Sequence, residues 1–318
     1  MDVKVSFIII SLNGGNVAVN SINSIKNLKT KYNFNIFFVD NGSKDGSVKK
    51  VKNRFGDVKV IRLHKNVGTA AYDAAIKKSK AEYLFFTGGD VEFKVDMLDE
   101  LVDFLDNNPD VAQAAPKYIN YYNRKRIDLG GTWLSRSFYS GVFKNNALGD
   151  KNIEIPYIGT GLIRTDTIKK FGYLFDNDYF FYGEDVDLGL RIRLLGQKIY
   201  YIPSSIVYHI GSASRNIHKP YYLTFLMERN LLRTFFTTLS MKNVILLNPY
   251  VFLIRLIAIA RDLLKFNFME ALARIKAIFW VVLNLHKIIK KRKAIQKIRT
   301  IKDKELFKFF SERYLLKR

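Results

Sequence analysis

The first ninety residues alternate between two patterns. Short apolar runs at 3–10, 35–39, 58–63 and 83–86, rich in Val, Ile and Phe, predict strands buried on both faces. Between them apolar residues recur at helical spacing: Ala18, Ile22, Ile25 and Leu28, then Val48, Val51 and Phe55, then a helix over 69–80. Strand and helix in strict alternation predict an α/β fold, a parallel sheet with helices on both faces. In such sheets ligands bind beyond the carboxyl ends of the strands. The segments at those ends are SLNGG (11–15), DNGS (40–43), KNVG (65–68) and TGGDVE (87–92), each with Asn or Asp close to Gly.

Beyond residue 90, Met97, Leu98, Leu101, Val102 and Leu105 mark an amphipathic helix that Asn107-Asn108-Pro109 stops, and 111–115 reads as another strand. From 117 to 156 the pattern weakens, with turns at Gly130-Gly131 and Gly141. FFYGEDVDLGLR (180–191) then packs Glu184, Asp185 and Asp187 into four positions, while Val186, Leu190 and Leu194 share one helical face. Carboxylates this close repel and lose hydration when buried, so they need cations, donors or a chemical use. A helix N-terminus decorated with acids is the plainer reading, because the helix dipole favours it. Asp187 and Arg191, four apart, pair across one turn, which makes Asp187 structural.

Composition divides the chain. Of its net charge of +23, residues 219–318 carry +16, from 22 Lys and Arg against 6 Asp and Glu. The absence of cysteine excludes disulfides, thiolate metal sites and thiol nucleophiles. MDVKVSFIII opens the chain with a run too short for a secretory signal, and it reads as a strand. Residues 244–260 and 271–285 are apolar but interrupted, by Asn248, Pro249 and Arg255 and by Arg274, Lys276 and Asn284. Neither reaches about 18 clean apolar residues, so both read as interfacial helices with apolar faces among lipid headgroups. KIIKKRK (287–293) adds a basic cluster suited to an anionic membrane surface on the cytoplasmic side, as a peripheral or monotopic protein; a helical cap with a solvated basic face is the alternative. Nucleic acid is a poor partner, because the charge lies among apolar helices rather than along a polar groove.

Six pieces in order, VSFIIISLNGG, VDNGSKDGS, HKNVGTAAYDAA, EYLFFTGGDVEF, DYFFYGEDVDLGLRIRLLG and IVYHIGSAS, resemble family 2 glycosyltransferases of the GT-A fold, the type of rhamnosyltransferases and polysaccharide-biosynthesis enzymes. The resemblance runs from about residue 3 to 214. It implies a catalytic domain over 1–218, Rossmann-like with a mainly parallel sheet, and a helical, membrane-associated extension over 219–318. It also implies a nucleotide-sugar donor, UDP- or dTDP-linked, and an inverting hexosyl transfer that needs Mg2+ or Mn2+. The acceptor would be a membrane-proximal glycan, such as a lipid-linked glycan or polysaccharide precursor. Polyprenyl phosphate as acceptor, or nucleotide binding without turnover, are the alternatives.

Residue by residue, the resemblance places Asp40 on the nucleotide base, where an Asx-turn cap is the plain alternative. It lines the base and ribose pocket with Ser11 and Asn13, and the nucleotide loop with Asn66 and Gly68. Leu12 departs from the stacking aromatic often found there. Asp90 matches the last aspartate of the metal motif, though Gly88 and Gly89 replace polar residues upstream. Glu92, two positions on, is a possible helper, and His209 a metal or diphosphate ligand. Asp185 falls at the catalytic base, with Glu184 beside it. Trp133, as a sugar platform or a buried aromatic, falls on the acceptor side. Gly161 falls in the small-residue strand along the donor sugar.

Overall fold

The computed structural model describes residues 3–211 and 219–311. The end of the sixth matching piece and the boundary expected at 218 therefore lie outside the described residues. In chain order the first half holds β1 (Val5–Ser11), α1 (Gly15–Lys26), β2 (Phe34–Asp40), α2 (Ser47–Arg54) and β3 (Lys59–Arg62). A 3-10 turn (Gly68–Tyr72), α3 (Asp73–Ile76), β4 (Tyr83–Gly88), β5 (Val91–Phe93), α4 (Met97–Asn107) and β6 (Val111–Asn120) follow.

The expected helix over 69–80 is realised as the 3-10 turn running straight into α3, and it stops at Ile76, short of Lys80. The Thr69 amide donates to the Phe180 carbonyl at 2.9 Å, which holds the first turn in the tighter winding. At the far end the Ser79 hydroxyl bonds Ser6 and accepts from the Ala81 amide, offering the backbone an alternative to another turn.

The weakly patterned middle forms short strands: β7 (Ile127–Leu129), β8 (Thr132–Leu134), β9 (Ser140–Val142) and β10 (Ile153–Glu154). After them come β11 (Gly161–Arg164), α5 (Thr165–Phe171), α6 (Glu184–Leu194) and β12 (Lys198–His209). The main sheet runs β10-β12-β6-β11-β4-β1-β2-β3, with β5 added to β12 and β7 to β6. β1 to β4 are mutually parallel where they pair, and β12 lies parallel to β6, while β11 runs antiparallel between β4 and β6. β8 and β9 form a separate pair.

Strand alternation sends successive side chains to opposite faces. Val5, Phe7, Ile9, Ile36 and Phe38 pack against α1 and α4, whereas Ile8, Phe37 and Val39 pack on the other face toward α3, α5 and α6. Both faces are covered, which explains the unbroken apolar runs and gives the expected α/β architecture.

Five further helices close the chain: α7 (Pro220–Thr238), α8 (Met241–Leu264), α9 (Phe268–Leu283), α10 (Leu285–Lys297) and α11 (Asp303–Phe307). They share a third core with β8, α6 and α7, built on Leu134, Phe138, Val186, Leu190, Leu231 and Phe235. A buried ionic knot ties them down. Glu228 meets Arg255 at 3.2 Å and Arg274, and accepts the Tyr139 hydroxyl at 2.7 Å; Arg255 also donates to the Ser137 carbonyl at 2.9 Å. Arg274 reaches Asp262 at 2.7 Å. Arg255, which interrupts the apolar run of α8, thus faces the globule. Its other side exposes Ile245, Leu246, Leu253, Leu256, Ile257 and Leu264. α8 is long and apolar enough to cross a membrane by composition, with a mean hydropathy of 1.9. The final charged helix expected to reach 318 is the short α11, and residues beyond 311 lie outside the described residues.

Candidate functional site

The carboxyl ends of β1, β2 and β4 bring three loops together. Asp40 is fully buried at the end of β2. One carboxylate oxygen accepts the Ser43 amide at 3.1 Å, and the other has no hydrogen-bond partner, with Arg62 Nε at 3.6 Å. The turn-cap reading and the ligand reading therefore hold for different oxygens of one group. Ser11 and Asn13 border it: the Asn13 amide donates to Ser43 Oγ at 2.8 Å, and Asn13 Oδ1 accepts the Lys44 amide at 2.9 Å. Asn66 and Gly68 join them through Asn41, whose side-chain amide donates to Asn66 Oδ1 at 2.9 Å and the Gly68 carbonyl at 3.0 Å. Gly68 has φ +66, and a Cβ there would lie 1.9 Å from the Phe180 carbonyl oxygen. Only glycine lets this loop touch the segment leading into α6.

That segment is wound tightly. Phe180 and Tyr182 have φ of 62° and 63°, and Gly183 81°. Asn230, fully buried in α7, holds it by donating to the carbonyls of Tyr179 at 3.0 Å, Phe181 at 3.1 Å and Tyr182 at 2.6 Å. Arg229 adds the carbonyls of Asp178 and Tyr179. The turn delivers Glu184 and Asp185 to the N-terminus of α6. Asp185 Oδ1 accepts the Val186 amide at 2.8 Å. Burial raises its carboxyl to about 6, against the lowering effect of the backbone amides. Glu184 is buried with Oε2 unpartnered, and burial, with Asp185 and Asp187 adding repulsion, pushes it well above the usual range. Burial thus raises both neighbouring carboxyls, Asp185 to about 6. Asp187 instead pairs with Arg191 at 2.7 Å in the core, as its spacing predicted.

Asp90 follows β4 and His209 ends β12. Asp90 Oδ2 lies 3.6 Å from His209 Nε2, and both side chains are about 30% exposed. His209 Nδ1 is 3.1 Å from Asp128 Oδ2 on β7. Burial alone would lower the His209 pKa; Asp90 and Asp128 outweigh it and raise it. The Tyr72 phenol is pushed well above its ordinary value by burial, with the nearby charges of Asp90 and Glu184 adding to it.

Three expected site residues sit elsewhere. Glu92 does not join Asp90; it faces Arg124 at 3.5 Å, and the Arg124 guanidinium sits 3.4 Å from the centre of the Tyr208 ring. Trp133 is 7% exposed and packs on Gly141, where a Cβ would come within 2.8 Å of the indole, so it is a core residue. Gly161 is packed against the backbone of Ala114 and Ala115 inside the sheet; the glycine beside Asp185 is Gly159, whose Cβ would lie 3.0 Å from that of Asp185. Sequence reasoning gave no role to Asn41 or Asp128. Asp128 carries a signal, an acid directly before Leu129-Gly130-Gly131 and so near glycine, as in the DNGS and TGGDVE loops.

The family model "Glycosyl transferase family 2" matches residues 6–170, just over half of the chain. The chain belongs to glycosyl transferase family 2. An uncharacterized glycosyltransferase of Rickettsia bellii is 31% identical over 147 residues, 46% of this chain and 20% of that one. An N-acetylglucosaminyl-diphospho-decaprenol L-rhamnosyltransferase of Mycobacterium tuberculosis is 23% identical over 214 residues, 57% of this chain and 68% of the relative. A crystal structure of GalNAc-T7 with UDP, GalNAc and Mn2+ superposes with a TM-score of 0.60 at 18% identity, over 74% of this chain and 48% of that one. The chain thus spans a fifth of the first relative and just under half of the crystallised chain. These likenesses agree with the fold described above. The family-2 match ends before α6 and β12, so Asp185 and His209 rest on their own geometry.

Proposed function

We propose that this family-2 protein is an inverting glycosyltransferase that moves a sugar from a UDP- or dTDP-linked donor to a membrane-proximal acceptor. The observation that carries the reading is Asp185. It is a half-buried carboxyl at a helix N-terminus, with its pKa raised to about 6 and its side chain packed beside Gly159. That is the environment of a general base working near neutral pH. Asp185 removes the proton of the acceptor hydroxyl as that oxygen attacks the anomeric carbon from the face opposite the departing nucleoside diphosphate. Configuration inverts in this single displacement, through an oxocarbenium-like state.

The unpartnered oxygen of Asp40 suits the imide N–H of uracil or thymine. Among the described residues no three His, Cys, Asp or Glu side chains converge as a metal cage. The Asp90–His209 pair still fits a divalent cation, because Mg2+ and Mn2+ sites at phosphates use few protein ligands and take oxygens from the substrate. When bound, such an ion supplies positive charge against the departing diphosphate. The printed names of the Mycobacterium relative and of the crystallised neighbour favour a lipid-linked acceptor and the UDP–Mn2+ pairing respectively.

The C-terminal helices support a seat on the membrane. Large exposed apolar residues concentrate on α8 and α9, with Lys287, Lys290, Lys293 and Lys297 exposed on α10. Of the basic cluster, Lys291 and Arg292 are turned inward, to Asp176 and to the Phe236 and Leu239 carbonyls. Because Arg255 and Asp262 are committed to the ionic knot, α8 lies along the surface rather than through it, on the anionic cytoplasmic face. Melting the purified protein with UDP, dTDP and other nucleoside diphosphates, with and without Mn2+, tests the donor site. A base-selective, metal-dependent rise in melting temperature is expected, and no rise with any nucleotide contradicts the reading.

A further inference from the structure

The hairpin from β6 into β7 has no part in the reaction as described, yet it ends on the metal side of the cleft. We propose that Asp128 is a positioning residue: it fixes the tautomer and orientation of His209 so that Nε2, beside Asp90, is the nitrogen presented to a divalent cation. The inference rests on the cation reading above and adds a residue that the reading does not need.

Strand register builds the arrangement. In the β6–β12 ladder Asn120 is the partner of His209, and β7 folds back antiparallel on β6 to bring Asp128 alongside. Asp128 Oδ2 takes His209 Nδ1 at 3.1 Å and Asn120 Nδ2 at 3.1 Å; Arg126 Nε approaches Oδ1 at 3.1 Å. The carboxylate is 12% exposed and is gripped from two sides before it meets the imidazole. An ionised carboxylate only accepts, so neutral His209 donates through Nδ1–H and keeps its lone pair on Nε2. Nε2 faces Asp90 Oδ2 at 3.6 Å, leaving one nitrogen and one oxygen open to the same ion. A carboxylate behind a ligating imidazole sets ring orientation and strengthens the nitrogen as a ligand. The neighbouring contact of Arg124 with Glu92 and Tyr208 keeps the next acid out of the pair.

Two measurements on the full chain test this. In metal-free protein at alkaline pH, nitrogen NMR of the histidine side chains is expected to find the Nδ1–H form at His209, replaced by a mixture in Asp128→Ala. Mn2+ titration in the presence of UDP is expected to weaken about 10–100-fold in Asp128→Ala with the fold intact. Asp128→Ser carries the same test if the alanine variant does not fold. An unchanged tautomer, or Mn2+ affinity equal to wild type, overturns this inference alone. Wild-type protein that binds no Mn2+ overturns the cation reading along with it.

Discussion

Removing the side chain of Asn230 tests how the acidic site is held. Its amide serves the carbonyls of Tyr179, Phe181 and Tyr182 from a fully buried position. An NH2 group has two hydrogens, so at most two full hydrogen bonds are lost at about 1 kcal/mol each, and each carbonyl left dry adds about 1–3 kcal/mol. Against this, releasing Phe180 and Tyr182 from the left-handed region returns about 1–2 kcal/mol per residue. Arg229 still serves the Tyr179 carbonyl, so two carbonyls are left dry and the net for Asn230→Ala spans about 0–6 kcal/mol, centred on a destabilisation of about 3 kcal/mol, with a loop that relaxes instead of holding its turn. Glu184 and Asp185 follow Tyr182 within three residues, and a 1 Å displacement of a reacting group costs about 100-fold in rate. Thermal melts and transfer rates, taken well below the melting temperature, should therefore show a drop of a few degrees and a much larger loss of rate. Asn230→Asp should be worse than alanine despite its matching shape, because it sets carboxylate oxygens against carbonyl oxygens. A variant that melts lower but transfers at the wild-type rate refutes the coupling between this clamp and the site.

Other consequences follow from buried charge and from the exposed helices. Burial lifts the Asp185 carboxyl from 3.8 to about 6, so the folded chain holds its proton more tightly than the unfolded chain. Stability from this group is thus lost as pH rises from about 4 through about 6; Asp185→Asn should melt higher than wild type at neutral pH, and wild-type transfer should fall on an acid limb near pH 6. Glu228→Gln leaves Arg255 and Arg274 short of a buried partner and should cost about 3–5 kcal/mol, read by denaturant unfolding. Leu256→Glu with Leu264→Glu should abolish sedimentation with anionic vesicles while leaving nucleotide binding intact; unchanged sedimentation contradicts the membrane seat.

The pattern of the chain carried the first half of the fold because β1 to β4 are buried on both faces, which leaves unbroken apolar runs. The helix expected over 69–80 forms only to Ile76 and starts in 3-10 winding, since its start is held by the carbonyl of Phe180, over a hundred residues away in sequence. The stretch 117–156 was unreadable because its strands are two or three residues long apart from the end of β6, too short for any period to emerge. The acids of the site were legible as clusters beside glycines, and Asp40, Asp90, Asp185 and His209 stand at strand or helix ends in the structure. Their supports were not legible. Asp128 lies 81 positions from His209, and Asn230 about 50 from the turn it clamps. Glu92 was placed by strand alternation alone, but β5 pairs with β12 and Arg124 claims its carboxylate.

The central claim is that Asp185 drives sugar transfer as a base. The direct measurement supplies wild type and Asp185→Asn with Mn2+, a panel of labelled UDP- and dTDP-sugars, and polyprenyl-linked acceptors, and follows label into the lipid fraction. The account predicts a product from wild type with one donor, and a loss of about 100- to 10,000-fold in a folded Asp185→Asn that still binds nucleotide. A folded Asp185→Asn that transfers sugar as fast as wild type contradicts it.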